Sequence, residues 1–274
     1  MIEINKYKNQ SLERAFSILN LFTQVEPELS FNEIDKKINL TKATLYRFLG
    51  DLEVSGFIEQ DIFSKKYRLG LKLLELGTIV QDNIEVRKKA FPFLEDIRKR
   101  TNENVNLGIL ENGEVVYVER LETARLIRMN FRVGSRVPAH CSSIGKVLLS
   151  YASQEEQSHY LETVELEMFT EQTITSEVEF NKELIKTRNQ GYSISDREFI
   201  DEIRTIAFPI FNHLNEAVAS FNISGPHYRL PYELIQTKIL PMLLDTGEKI
   251  SKEIGFSGNY TKIVNLNSNN ITEI

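Results

Sequence analysis

Apolar residues recur at helical spacing through the first fifty positions, and the period then shifts to two. Across residues 11–22, Leu12, Ala15, Phe16, Ile18, Leu19 and Phe22 form a broad apolar face, with Ser11 as the expected cap. Phe31, Ile34 and Ile38 repeat the spacing after Ser30, and Glu33 stands where a reciprocal helix cap needs it. Leu45, Phe48, Leu49 and Leu52 make the next stripe, behind Thr41 as cap. The corner over residues 38–41 is too short for anything but a sharp helix–helix turn. Residues 57–60 and 66–69 are then β-prone around the polar loop 61–65. Helix, turn, helix and hairpin in this order describe a winged helix-turn-helix over residues 8–70.

A short helix over residues 71–77 and a longer one over 83–100, interrupted at Pro92, are predicted as a helical connector across 71–100. From Asn104 the alternation becomes that of strands: 105–110 and 114–120 flank the Glu111-Asn112-Gly113 turn, and 124–133 is a third candidate. Helices are predicted over 142–151, 154–161 and 177–190, the last ended by Gly191. Further strands are predicted over 192–195, 204–211 and 217–224, then a helix over 232–254 kinked at Pro241. Two groups of antiparallel strands with helices between them make residues 80–255 an α+β domain. Residues 1–10 read as frayed, and the Asn- and Ser-rich residues 256–274 as a flexible tail.

The second helix of the N-terminal unit carries a face that its core does not use. Lys42, Ala43, Thr44, Tyr46 and Arg47 lie there, and small, hydroxyl and cationic side chains on the first turns of a helix suit base edges in a major groove. Lys65 and Lys66 at the hairpin tip suit phosphates, which position a protein on a duplex without reading its sequence. Each lysine alone is ordinary surface. Helix, turn and wing in register make double-stranded operator DNA the expected partner. One winged unit touches few base pairs, so a homodimer or homotetramer is expected. Charge adds a little: residues 36–68 carry seven Lys/Arg against four Asp/Glu, inside a chain of net charge −6. A basic patch on an acidic body implies salt-sensitive binding at one end.

With 274 residues and 41% hydrophobic content, two domains with ordinary cores are expected. No apolar run approaches the roughly 18 residues of a membrane span, and no charged-then-apolar leader opens the sequence. A cytoplasmic location without membrane contact is therefore expected. The single Cys141 excludes an internal disulfide and fits a reducing compartment.

Several stretches at matching spacing resemble the IclR (isocitrate lyase regulator) family of bacterial transcription factors. They are residues 11–22, 40–52, 67–77, 133–149 (VGSRVPAHCSSIGKVLL), 191–209 (GYSISDREFIDEIRTIAFP) and 217–226 (AVASFNISGP). The resemblance implies a GAF-like α+β effector domain that binds a small organic-acid-like or polyhydroxylated metabolite and adjusts the grip on DNA, with repression the commoner outcome. It also implies apolar pocket walls at Leu126, Met129 and Val137, backbone donors near Ser143 and Ile144, and polar groups at Ser195, Thr205, Asn222 and Ser224. N–H groups at a helix start near residue 142 are a natural anion site on physical grounds as well. This chain departs from the family pattern: Ser195 replaces an Asp, Thr205 a Cys, Asn222 a Ser, and Ile144 a small residue. The lost carboxylate and added bulk argue against the smallest oxoacids.

Other chemistry finds little footing. His140-Cys141 invites a thiolate reading, and the alternative function is a small-molecule enzyme using the Cys141 region, with the N-terminal unit as an interaction module. Adjacent residues on an extended segment point apart, so Cys141 is read as a small buried residue. Gly145-Lys146 lacks the other residues of a phosphate loop, and His159, His213 and His227 are scattered. No metal or other cofactor is expected.

Overall fold

The computed structural model describes residues 9–123 and 131–264, and the chain divides into two compact units at Asn83/Ile84. In the first unit the order is α1 (Gln10–Leu19), β1 (Glu28–Leu29), α2 (Phe31–Lys37), α3 (Lys42–Val54), β2 (Ile58–Gln60), β3 (Tyr67–Leu69) and α4 (Leu71–Asn83). The caps decide where α2 and α3 begin. The Ser30 hydroxyl accepts the Glu33 N–H while the Glu33 carboxylate accepts the Ser30 N–H at 2.7 Å. Thr41 Oγ1 accepts the Thr44 N–H at 3.2 Å. Ile18, Leu29, Ile34, Leu45, Leu49 and Ile58 interlock beneath them.

Four details of this unit differ from expectation. The cap of α1 is Asn9, whose Oδ1 accepts the Ser11 N–H at 3.0 Å, so Ser11 lies inside the helix. Of the broad α1 face only Ile18 is buried within the helix; Leu12 and Phe16 are 54% and 58% exposed. The wing is three-stranded in the order β1-β3-β2, because two residues of β1 pair Glu28 with Arg68 and Leu29 with Tyr67. α4 also runs on to Asn83 and buries none of its residues.

The second unit starts with α5 (Glu85–Thr101), which continues through Pro92. Then come β4 (Asn104–Glu111), β5 (Glu114–Leu121), β6 (Arg136–Pro138), α6 (Ser143–Tyr151), α7 (Gln154–Thr163), α8 (Glu177–Gln190), β7 (Ser193–Asp196), β8 (Ile203–Phe211) and β9 (Ala217–Pro226). The described strands form one antiparallel sheet in the order β6-β5-β4-β9-β8-β7. One face packs Val105, Leu107, Ile206, Phe208, Phe221 and Ile223 against Ala90, Leu94 and Ile97 of α5. The other packs Val115, Tyr117, Val137 and Ala207 against Ile144, Val147 and Leu148 of α6 and Phe180 of α8. Strand alternation also puts polar residues on this second face. Asn104, Ser224, Thr205 and Ser195 are paired in one row across four strands, and Asn106, Asn222, Ala207 and Ser193 in the next.

The candidate strand over 124–133 falls largely outside the described residues; the edge strand here is β6. The closing helix is broken earlier than expected. A 3₁₀ turn (His227–Arg229), α9 (Tyr232–Leu234) and a π turn (Ile235–Ile239) precede α10 (Leu240–Glu253). Pro241 sits in the first turn of α10, where its missing N–H costs nothing. The expected tail is core as far as residue 264. Phe256, Tyr260 and Val264 are buried, α11 (Tyr260–Ile263) forms, and Tyr260 Oη donates to the Pro209 carbonyl at 2.6 Å. Gly191, the left-handed cap of α8 at φ 78°, lies so close to this segment that a Cβ would stand 2.0 Å from the Val264 oxygen. Residues 265–274 lie outside the described part. Among the described residues, no helix is long and apolar enough to cross a membrane.

Candidate DNA-reading face and ligand pocket

Burial of Leu45 and Leu49 leaves Lys42, Ala43, Tyr46 and Arg47 exposed on the opposite side of α3. The Tyr46 ring leans on Phe31, with centroids 6.4 Å apart. Thr44 stands apart from the group: it is half-buried, and its hydroxyl lies 2.8 Å from Thr41 Oγ1, so the cap already uses part of its bonding capacity. The wing tip is tied by local bonds. Asp61 Oδ1 accepts from the N–H groups of Phe63 (3.1 Å) and Ser64 (2.7 Å), and Gln60 Nε2 donates to the Lys65 carbonyl at 2.9 Å. Lys65 takes a left-handed φ of 60° there and is exposed. Lys66 is half-buried, and its charge adds to the Ser30 hydrogen bonds that hold the Glu33 carboxyl below the usual range. Lys65 is thus the freer cation. Sequence reasoning passed over Ile62 and Phe63, which project from the tip at 75% and 94% exposure.

In the second unit a cavity of about 30 Å³ lies between the polar face of the sheet and the start of α6. Val137, Ser195, Thr205, Asn222 and Ser224 all line it, together with Tyr117, Phe131, Cys141, Ser142, Phe199, Ile200 and Ile203. Ser143 sits behind this lining, where its hydroxyl oxygen accepts from Thr205 Oγ1 at 2.7 Å and Asn222 Nδ2 at 3.3 Å. Ile144 does not line the cavity. Its side chain covers Gly108, where a Cβ would stand 3.1 Å from Ile144 Cγ2, so its bulk does not shape the site as expected. Leu126 and Met129 lie outside the described residues. Ser195 donates to the Cys141 carbonyl at 2.9 Å, tying β7 to the segment before α6. The Ser224 hydroxyl is fully buried and finds no partner among the described residues. Ser142 Oγ accepts the Gly145 N–H, which leaves the Ser143 and Ile144 N–H groups at the helix start without intrahelical acceptors.

The aromatic wall is not among the residues that the sequence points to. Phe131 lies 6.0 Å from both Tyr117 and Phe199, centroid to centroid, and Phe199 meets Phe169 at 4.9 Å. The one signal is alternation: Tyr117 shares its strand face with the buried Val115. Phe199 lies in a loop, where no period applies.

Cys141 has none of the features of a nucleophile. Burial pushes its thiol up to about 12, and among the described residues its sulfur bonds to the Pro138 carbonyl alone, at 3.5 Å. The His140 ring turns elsewhere, to the Glu167 carbonyl at 3.0 Å. A thiol held this far from ionisation does not support the alternative enzymatic reading.

Residues 78–252 match the family described as the bacterial transcriptional regulator IclR C-terminal domain, and residues 11–61 match the IclR helix-turn-helix domain. The chain belongs to the IclR family of bacterial transcriptional regulators. Among IclR-family relatives, the HTH-type transcriptional regulator XynR of Escherichia coli is 37% identical over 215 residues, 78% of this chain and 85% of that protein. The HTH-type transcriptional regulator KdgR of Escherichia coli is 33% identical over 246 residues, covering 90% of this chain and 93% of that protein. The crystal structure of Thermotoga maritima IclR matches with a TM-score of 0.74 at 32% identity, over 90% of this chain and 99% of that one. This chain therefore has the IclR arrangement of a DNA-binding helix-turn-helix joined to a ligand-binding α+β domain.

Proposed function

We propose that this regulator acts in the cytoplasm as a repressor, gripping a pseudo-palindromic operator as a homo-oligomer and changing that grip when a small polar metabolite enters the cavity beside α6. The observation that carries the reading is the buried Ser224 hydroxyl, without a partner among the described residues, in a cavity walled in part by Tyr117, Phe131 and Phe199, with helix-start N–H groups nearby. Such a site suits a carboxylate or several hydroxyls on an apolar body. At about 30 Å³ the cavity holds only a water-sized guest or two. An organic ligand must therefore displace Phe131 or Phe199 side chains, and that differential cost is what lets a ligand bias one state over another. Coupling of about 1–3 kcal/mol is typical of such regulators. α4 and α5 are the covalent route between the units.

Replacing Ser224 by Ala should weaken effector binding by about 0.5–1.5 kcal/mol, the size of one neutral hydrogen bond. DNA affinity of the ligand-free protein should stay unchanged. Calorimetry and operator binding on the variant test this; unchanged effector affinity together with an unchanged operator response would remove the pocket from the account.

The oligomer follows from surface that the first unit leaves uncovered. Leu12 and Phe16 of α1 and Leu71, Leu74, Ile79 and Val80 of α4 are all more than half exposed. Several large apolar side chains exposed on two helices suit an interaction site, and a second copy matches the two-fold demand of a palindrome. Sedimentation at micromolar concentration should show a dimer or larger species. A monomer both with and without DNA would contradict this assembly.

A further inference from the structure

Arg120 does not line the cavity, yet it sets the direction of the hydrogen bonds that lead into it. A β-bulge brings it to that face. β4 and β5 pair Leu107 with Glu119 but Gly108 with Tyr117, so Val118 has no opposite residue. The extra residue reverses the alternation beyond it. Glu119 consequently turns to α5, where it meets Arg87 at 2.9 Å, and Arg120 joins Asn106 on the polar face.

A guanidinium can only donate. Arg120 Nη1 lies 3.2 Å from the Asn106 side chain, so the Asn106 atom facing it is the carbonyl oxygen. The Asn106 amide then points the other way and donates to Asn222 Oδ1 at 2.8 Å. That commits the Asn222 carbonyl, leaving its NH₂ group on the side of Ser143, to which it donates at 3.3 Å. Thr205 donates to the same Ser143 oxygen at 2.7 Å. One cation thus fixes the sense of both amides, whose O and N ends are alike in shape. What the relay turns toward the cavity is a donor. Asn222, a lining residue, keeps its second N–H, and the buried Ser224 hydroxyl has no partner among the described residues.

Resting on the reading of this cavity as the effector pocket, we propose that Arg120 is a positioning residue that acts through Asn106 to hold Asn222 as a donor into the pocket, so that the Asn222 subsite selects a carboxylate over a neutral amide of the same shape. A carboxylate accepts from the Asn222 N–H with either oxygen, whereas an amide has one acceptor, and its NH₂ set against the Asn222 amide leaves two buried donors opposed. Lysine at 120 also only donates and preserves the relay. Glutamine can accept, and so frees both amides to turn. Aspartate at 106 accepts from both neighbours, which turns the Asn222 carbonyl toward Ser143 and the cavity even with Arg120 in place.

The test uses the full chain with two probe pairs, acetate against acetamide and benzoate against benzamide, and dissociation constants from concentration-dependent melting shifts. The wild type and R120K should favour the carboxylate by on the order of tenfold or more, the worth of one charge-assisted hydrogen bond. R120Q and N106D should lose that preference; their ligand-free melting temperatures report folding separately, and N106D supplies the result if R120Q does not fold. Weaker binding of the probes by S224A confirms that they occupy the cavity. A carboxylate preference kept in R120Q or N106D overturns the role of Arg120 and leaves the pocket standing. Probe binding indifferent to S224A, or no saturable binding to the wild type, overturns both.

Discussion

Replacing Lys146 by Met should lower the stability of the C-terminal unit by about 3–5 kcal/mol, the usual cost of removing one partner from a buried ion pair. Lys146 is completely buried on α6. Its Nζ donates to Glu198 Oε1 at 2.7 Å, the Ile194 carbonyl at 3.0 Å and Glu183 Oε1 at 3.4 Å. Methionine fills much the same volume, so the loss isolates charge from packing. The pH dependence gives the stronger check. Burial raises the Glu198 carboxyl above the usual range, and the Lys146 ammonium pulls against that rise. A carboxyl raised in the folded state contributes stability below its unfolded value, which is lost as pH rises through the folded one. Without Lys146 the folded value climbs further. The deficit of K146M should therefore be small in acid, where Glu198 is neutral in both proteins, and widen as pH rises above the ordinary carboxylate range. Adding E198Q should recover much of it. Denaturant unfolding of both variants across that window checks the claim; an equal deficit at every pH would assign the effect to packing.

Elements with local chemistry are legible in the amino-acid sequence. The Ser30/Glu33 cap, the Gly191 stop and the Asn112-Gly113 turn each depend on neighbours along the chain, and Asn112 and Gly113 do take the positive φ values, 53° and 80°, that such a turn needs. The bulge at Val118 is not legible, because valines and tyrosine occupy both faces before it and a one-residue slip leaves no polar mark. Phe256, Tyr260 and Val264 stand four residues apart, but the Asn and Ser between and after them outweigh that spacing. In the pocket, the alternating Ser, Asn and Thr of β7–β9 are readable as one polar face. Which way Ile144 of α6 points is decided by the gap that Gly108 leaves on β4, and the aromatic wall comes largely from loops.

On DNA, Arg47→Ala should cost about 1–3 kcal/mol at the cognate operator, the worth of a bidentate base contact, and relax preference at one position of each half-site. Arg47 is exposed on the first turns of α3, beside Lys42 and Ala43, with Leu45 and Leu49 fixing the helix behind it. Lys65→Ala and Lys66→Ala should instead weaken all sequences alike and flatten the salt dependence, as lost phosphate contacts do. Lys65 should show the larger change, because Lys66 lies close to the Glu33 carboxylate. Thr44→Val should have a smaller effect than Arg47→Ala, since its hydroxyl already bonds Thr41. Binding of each variant to a set of singly substituted operators at two salt concentrations separates these roles. Uniform loss for Arg47→Ala across all sequences would show that it contacts backbone rather than bases.

The most direct measurement is footprinting of the full chain, with and without R47A, on the DNA flanking its own coding sequence and the neighbouring transcription units, at rising salt. The account predicts protection of a pseudo-palindrome whose half-sites lie about one helical turn, roughly 34–36 Å, or a multiple of it apart. Protection should fade with salt and be lost selectively in R47A. Failure of the wild type to protect any discrete site at low salt, or the same footprint from R47A, would contradict it.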